Sequence, residues 1–289
     1  MTAAHEQAVA VAARLTGAPA TNARPLGGVV YAVDLDGGDR VVAKRHPEPS
    51  AAAAETASLS WLADADAVPV PAVFGHDGPW LVTAYVAGGR PGPTAAERLG
   101  RELAALHAAG ADAFGAAPPG GPADAWIGLA PMRNEPGPAW PEWYAEYRVR
   151  PYLRRAVDEG TLHRGDAEVI ERVCARIGEL AGPAEPPARL HGDLWNGNVH
   201  WAADGRAWLM DPAAHGGHRE TDLAMLRLFG CPHLDRVLAA YQEAAPLADG
   251  WHARVPLHQL FPLLVHTVLF GGGYGAQAVA AARETLAAG

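Results

Sequence analysis

The sequence predicts an α+β protein in two lobes. Residues 1–87 make a small antiparallel β-sheet with one helix, and residues 88–289 make a larger, mostly α-helical lobe with a hairpin that bears the candidate catalytic residues. Three observations predict it. Short apolar runs bounded by glycine mark strands in the first part of the chain. Longer stretches with helical periodicity fill most of the rest. Between two of them lies the polar run His191-Gly192-Asp193-Leu194-Trp195-Asn196-Gly197-Asn198, followed by a second hairpin pattern that ends on Asp211-Pro212.

The elements follow in order. Residues 3–15 read as a helix. Gly27-Gly28 is a turn entering a strand over 29–35, Gly37-Gly38 turns the chain back, and 40–44 is a buried strand. Ser50 reads as the N-cap of a helix running to Trp61 or Leu62, on which Glu55, Leu59 and Leu62 share one face. Residues 68–71 are an extended connector. Residues 80–86 form an apolar strand that Gly88-Gly89 breaks, and the lobe boundary falls there. A helix spans 94–109. Residues 110–141, rich in Gly and Pro, read as a long irregular loop, although Trp126, Trp140 and Trp143 argue against disorder. Helices over 141–157 and 164–181 and a break at 182–187 lead to the polar run. The hairpin comprises 198–201, a turn at Asp204-Gly205, and 206–210, so that Asn198 and Asp211 stand at the ends of neighbouring strands. Helices over 219–229, 233–245, 256–270 and 276–287 complete the chain.

His-x-Asp, four residues, Asn, and an Asp thirteen positions later is the spacing of a kinase-type phosphoryl-transfer site. Asp193 suits the carboxylate beside an attacking hydroxyl. Asn198 and Asp211 suit oxygen ligands for Mg²⁺, and the phosphate donor that such a site implies is ATP. The competing reading is ordinary loop chemistry. Lys44 is the only lysine among 23 basic residues. A lone ammonium in an arginine-rich chain marks a site where a planar guanidinium will not serve. It closes a strand behind the Gly27-Gly28 turn, as a phosphate-binding lysine does; the alternative is a chance survivor on a solvated edge. Glu55, a carboxylate on an apolar helix face, needs a cation, and Lys44 is the obvious one. Backbone groups of Thr83, Ala84, Tyr85 and Val86 are expected to meet an adenine edge. Asp222, at a helix start, reads as an acceptor for backbone N–H groups of the polar run, and His191 as a brace for it.

Composition narrows the class further. A net charge of −9 leaves no basic face for nucleic acid. Cys174 and Cys231 are too few and too far apart for a disulfide framework, which fits a reducing cytoplasm. No N-terminal basic run is present, so a signal peptide is not expected, and the apolar stretch over 261–270 is too short to span a membrane. His215 and His218 stand at i and i+3 without a third zinc ligand at suitable spacing.

The run Leu190-His191-Gly192-Asp193-Leu194-Trp195-Asn196-Gly197-Asn198-Val199, with Asp211-Pro212-Ala213, His215-Gly216 and Glu220-Thr221-Asp222-Leu223-Ala224-Met225, resembles the fructosamine kinase (ketosamine-3-kinase) family, among the aminoglycoside- and choline-kinase-like relatives of protein kinases. Trp126-Ile127-Gly128, Asn134, Trp143-Tyr144 and Phe270-Gly271-Gly272-Gly273-Tyr274 resemble its other elements. The resemblance is tight in the second lobe and looser in the first, where Ala43 precedes the lysine and Val29-Val30 follow the glycines. It implies a protein-kinase-like fold and ATP-dependent phosphorylation of the sugar O3 hydroxyl of a ketosamine, a small molecule or a glycated protein. The product is unstable and eliminates, which makes the reaction a deglycation. Trp195 is expected either as a wall for the sugar or as a core aromatic, with Trp143, Asn134 and His215 as further acceptor-side candidates. The rivals are a kinase for an aminoglycoside or choline-like amine, and a nucleotide-binding pseudokinase scaffold.

Overall fold

The computed structural model describes residues 3–289. Helix α1 (Ala3–Thr16) precedes β1 (Ala20–Gly27), β2 (Val30–Leu35), β3 (Arg40–Arg45), α2 (Pro49–Ala63), β4 (Val73–Asp77) and β5 (Trp80–Ala84). The five strands form one antiparallel sheet in the order β1-β2-β3-β5-β4. Strand β3 is central: Lys44 pairs with Val30 on one side and Leu81 on the other. Ala8, Val11 and Ala12 of α1 cover one sheet face, against Val33, Val41, Ala43 and Val82.

Two of these strands carry no apolar pattern. β1 buries only Ala23 and contains Pro25, and β4 has a bulge at Gly75, so the sequence reading assigned neither to a strand. They are edge strands, where proline and polar side chains are tolerated. The expected cap at Ser50 is also corrected. Glu48 stands at the N-cap with no side-chain bond, and Pro49 opens the helix. Ser50 Oγ instead accepts a hydrogen bond from Trp126 Nε1 at 3.2 Å.

The remainder is largely helical. It holds α3 (Pro93–Ala108), a hairpin of β6 (Asp124–Ile127) and β7 (Ala130–Arg133), and α4 (Trp140–Tyr144), which continues through a π-turn at Ala145–Val149 into α5 (Arg150–Asp158). Next come α6 (Arg164–Ala175), α7 (Ile177–Leu180), β8 (Ala188–Leu190), β9 (Val199–Trp201), β10 (Ala207–Leu209) and β11 (His215–Gly217). Helices α8 (Glu220–Leu228), α9 (Leu234–Ala244), α10 (Trp251–Phe270) and α11 (Tyr274–Ala288) close the chain. The stretch read as an irregular loop thus contains the β6–β7 hairpin, turned at Gly128-Leu129. Helix α10 begins ahead of Pro256 and keeps both Pro256 and Pro262 within it. No described helix is long and apolar enough to cross a membrane.

The β9–β10 hairpin lies where the sequence placed it, with Val199 opposite Leu209. The main core gathers α4, α5, α6, α10 and α11 around Tyr144, Ile170, Leu260 and Phe261. A second core crosses the predicted boundary at 87/88. Leu59, Trp61 and Leu62 of α2 and Leu81 of β5 share it with Leu99, Leu103, Leu223 and Tyr241. The connector is itself tied down, since Gly89 N–H donates to Trp201 O at 2.7 Å.

Candidate active site

Lys44 Nζ stands 2.7 Å from Glu55 Oε2 and 3.0 Å from Asp211 Oδ1. Burial works against its charge, but the carboxylates of Glu55 and Asp211 outweigh burial and hold the lysine above its ordinary pKa. His46 lies 3.4 Å from the same Glu55 oxygen; burial and the Lys44 charge push its pKa down to about 4, so it is neutral.

The polar run is held rigidly from behind. Asp222 Oδ2 accepts the His191 N–H at 2.8 Å, and Oδ1 accepts the Gly192 N–H at 3.0 Å. His107 Nε2 sits 3.2 Å from Asp222 Oδ2, and its Nδ1 is 2.8 Å from Tyr241 Oη. His191 Nε2 lies 2.9 Å from Met210 O, which ties the run to the strand leading into Asp211. Gly192 has φ +83, and a Cβ there would strike Ala213 O, so glycine is required between His191 and Asp193. At Gly197 the requirement is space: a Cβ would enter the Trp195 ring.

Asn198 Nδ2 donates to Asp193 O at 2.8 Å and Asp193 Oδ2 at 3.1 Å, which leaves its Oδ1 available to a cation. Burial pushes the Asp193 carboxyl up to about 7; the Asn198 hydrogen bond opposes this, while the Asp211 and Asp222 charges add to it. Asp211 adopts φ 51, a left-handed conformation that aspartate tolerates better than most residues. Its side chain is 53% exposed. Two hard oxygen donors, one anionic and accessible, fit a divalent cation of the magnesium type.

Two cavities meet at this cluster. One, of about 350 Å³, is lined by Leu26, Val30, Val42, Thr83–Val86, His200 and Met210. The other, of about 310 Å³, contains Asp193, Asn198, Trp195, Trp126 and Phe270. Lys44, Glu55 and Asp211 line both. Gly27 and Gly28 form the turn between Leu26 and Val29, one in each cavity wall, and Gly28 has φ +52.

Some expected contacts are relocated. In the 83–86 segment the Ala84 N–H is bonded to Ala72 O and the Tyr85 N–H to Arg40 O; the Val86 N–H has no partner among the described residues. Trp195 is 38% exposed and lines a cavity, so it is a wall and not a core aromatic. Trp143, Asn134 and His215 are corrected, for none lines either cavity. Trp143 is buried, donates to Glu135 O at 2.7 Å and lies under the Arg148 guanidinium. Asn134 Oδ1 accepts from Arg148 Nη2 at 2.7 Å. His215 is buried with Nδ1 2.9 Å from Ala213 O. Trp143 and Asn134 thus seat the buried Arg148, and His215 packs against the Trp143 ring. His200 went unnoticed, although it stands two residues after Asn198 with a buried, unpartnered Nε2. Leu129, His266 and Phe270 also line the second cavity; Phe270 opens a run that resembles the family but was not placed at the site, and no local pattern in the sequence singled out Leu129 or His266.

His218 does find ligand-like neighbours: Glu220 and His258. Arg254 occupies both Glu220 oxygens, at 2.6 and 3.0 Å, so the cluster carries its own cation.

A small sheet and helix that pair a lysine with a glutamate, packed on a helical body that presents Asp, Asn and Asp to the same cleft, define a kinase of the protein-kinase-like fold. The family model for fructosamine kinase matches residues 31–288, and the chain belongs to that family. A probable ketoamine kinase of Thermus thermophilus is 37% identical over 256 residues, covering 84% of this chain and 89% of that protein. A solved candidate fructosamine-3-kinase from Thermobifida fusca superposes with a TM-score of 0.90 at 49% identity, over 96% of this chain and 98% of that one. A choline kinase from Streptococcus pneumoniae, at TM-score 0.65 and 15% identity over 98% of both chains, shares the fold. The protein is therefore a phosphotransferase with an alcohol group as acceptor, and it takes ATP and a divalent metal.

Proposed function

We propose that the chain phosphorylates the sugar O3 hydroxyl of ketosamines, on free adducts or on glycated proteins, and so initiates deglycation. The observation that carries the reading is the junction of the two cavities at Lys44, Glu55 and Asp211, with Asp193 in one cavity only. The cavity floored by His200 and Met210 takes the nucleotide, with the Val86 N–H facing the adenine edge. The cavity holding Asp193 takes the acceptor. The transferred phosphoryl group then lies at the junction, in line between them. The division at 87/88 follows the same logic: the sheet holds the nucleotide and the helical body holds the acceptor.

Asp193 accepts a hydrogen bond from the acceptor hydroxyl. As the new O–P bond forms and the bond from the γ-phosphorus to the leaving ADP oxygen breaks, the proton passes to the Asp193 carboxylate. Asn198 Nδ2 orients that carboxylate, and Glu55 holds Lys44 toward the α- and β-phosphates. Asn198 Oδ1 and Asp211 would hold Mg²⁺, which when bound neutralises charge on the phosphate oxygens. The family's name for its substrate, and the probable ketoamine kinase among the relatives, support the acceptor class.

The test incubates the protein with Mg-ATP and, separately, fructosyl-lysine, ribulosyl-lysine, an aminoglycoside and choline, following ADP release. Turnover with the two sugar-lysine adducts alone is expected. Turnover only with the aminoglycoside or choline overturns the acceptor, and ATP binding without any turnover favours a scaffold.

A further inference from the structure

Six large hydrophobic side chains are exposed among the described residues, and four of them, Val29, Leu129, Trp195 and Phe270, line the acceptor-side cavity. Isolated exposed apolar residues are ordinary; their convergence on one opening is not. They come from four separate places: the β1–β2 turn, the tip of the β6–β7 hairpin, the polar run, and the end of α10. Each is braced. Gly128, at φ +55, turns the hairpin so that Leu129 sits at its tip. The Trp195 ring lies over Gly197 and meets Phe229 edge-on at 5.9 Å. Phe270 packs beside His266, with ring centres 5.4 Å apart.

The charges of this cavity are distributed unevenly. Its acidic groups are Glu55, Asp193 and Asp211, all in the catalytic cluster; the outer wall carries no carboxylate, and Arg45 is its one fixed charge outside that cluster. An acceptor that brings extra ammonium groups to the mouth finds no partner there and loses water.

We infer that the mouth of the acceptor cavity selects ketoamines whose amine-derived part is uncharged and apolar. This rests on the ketosamine reading above. In a ketoamine three carbons separate the nitrogen from the O3 hydroxyl that must reach Asp193, so the sugar fills the depth and the nitrogen substituent emerges between Leu129, Trp195 and Phe270. A benzyl or aliphatic substituent, or a glycated side chain within an apolar peptide, fits that surface. A substituent ending in a free ammonium fits it less well and is turned over more slowly.

The test compares three ketoamines of one sugar, made from benzylamine, ethanolamine and 1,4-diaminobutane; the reacting nitrogen is common to all. Covering part of a phenyl ring is expected to raise kcat/KM about 10-fold or more over the ethanolamine adduct, with the diaminobutane adduct poorest. The double variant Leu129→Ser/Phe270→Ser, checked for an unchanged unfolding midpoint, should narrow the benzyl-to-diaminobutane ratio at least ~5-fold. Equal kcat/KM for the three adducts, a preference for the diamine, or an unchanged ratio in the variant overturns the inference while leaving the ketosamine kinase intact. No turnover with any adduct overturns both.

Discussion

Asp222 touches neither cavity, yet the geometry makes it a sharp test of how the site is held. The perturbation is Asp222→Asn, which keeps the shape and removes the charge. The carboxylate is 1% exposed and accepts bonds from His191 N–H, Gly192 N–H and His107 Nε2. An amide retains one oxygen and turns an NH₂ group toward groups that are themselves donors. One charge-assisted bond is lost, about 1.5–3 kcal/mol, and a buried donor is left unsatisfied, about 1–3 kcal/mol. The expected loss is therefore roughly 3–5 kcal/mol, in the range found when one member of a buried polar set is removed. Urea unfolding midpoints of the two proteins measure it. The pH dependence gives a second check. Burial opposes ionisation of Asp222, but the hydrogen bond and charge of His107 hold its pKa below the ordinary 3.8. A depressed carboxylate contributes its stabilisation above the unfolded value and loses it as pH falls through the folded one. The gap between wild type and variant should be constant from neutral pH down to about 5 and shrink below about 4. Coincident midpoints at neutral pH, or a gap that widens in acid, refute the reasoning.

Lys44→Arg should cut kcat/KM for ATP at least ~10-fold, because a planar fork cannot keep the 2.7 and 3.0 Å contacts in the space of an ammonium; steady-state kinetics at saturating acceptor decide it. The acid limb of kcat/KM should fall between the ordinary carboxylate value of 3.8 and the value of about 7 to which burial pushes Asp193, with activity lost as the carboxylate protonates; a profile flat down to pH 4 contradicts the assignment. Gly197→Ala should displace the Trp195 ring and raise the acceptor KM several-fold while the ATP KM stays within about twofold, read from kinetics with each substrate varied.

Where chemistry and spacing coincide, the site was legible in the sequence. Asp193, Asn198, Asp211, Lys44 and Glu55 stand together as their spacing predicts, because a hairpin and a central strand leave little freedom in where their ends point. The acceptor side was not legible. Trp143 and Asn134 lie in the same insert as Trp126, but only contact with Arg148 decides that they face inward. The β6–β7 hairpin was hidden because Gly and Pro dominate its surroundings and each strand has four residues. Edge strands β1 and β4 were missed for want of a buried face to pattern them.

In protein kinases, repositioning of the helix that carries the lysine's glutamate is one means of control. Here that helix is α2, and it is moored at several points to the larger body. Arg189 Nη1 donates to Trp61 O at 2.8 Å, Ser58 Oγ accepts the Ala214 N–H at 3.3 Å, and Trp126 reaches Ser50. Its apolar face is buried among Leu99, Leu103 and Leu223. Swinging such a helix outward means tearing open an apolar interface, so the packing of the larger body itself keeps Glu55 beside Lys44.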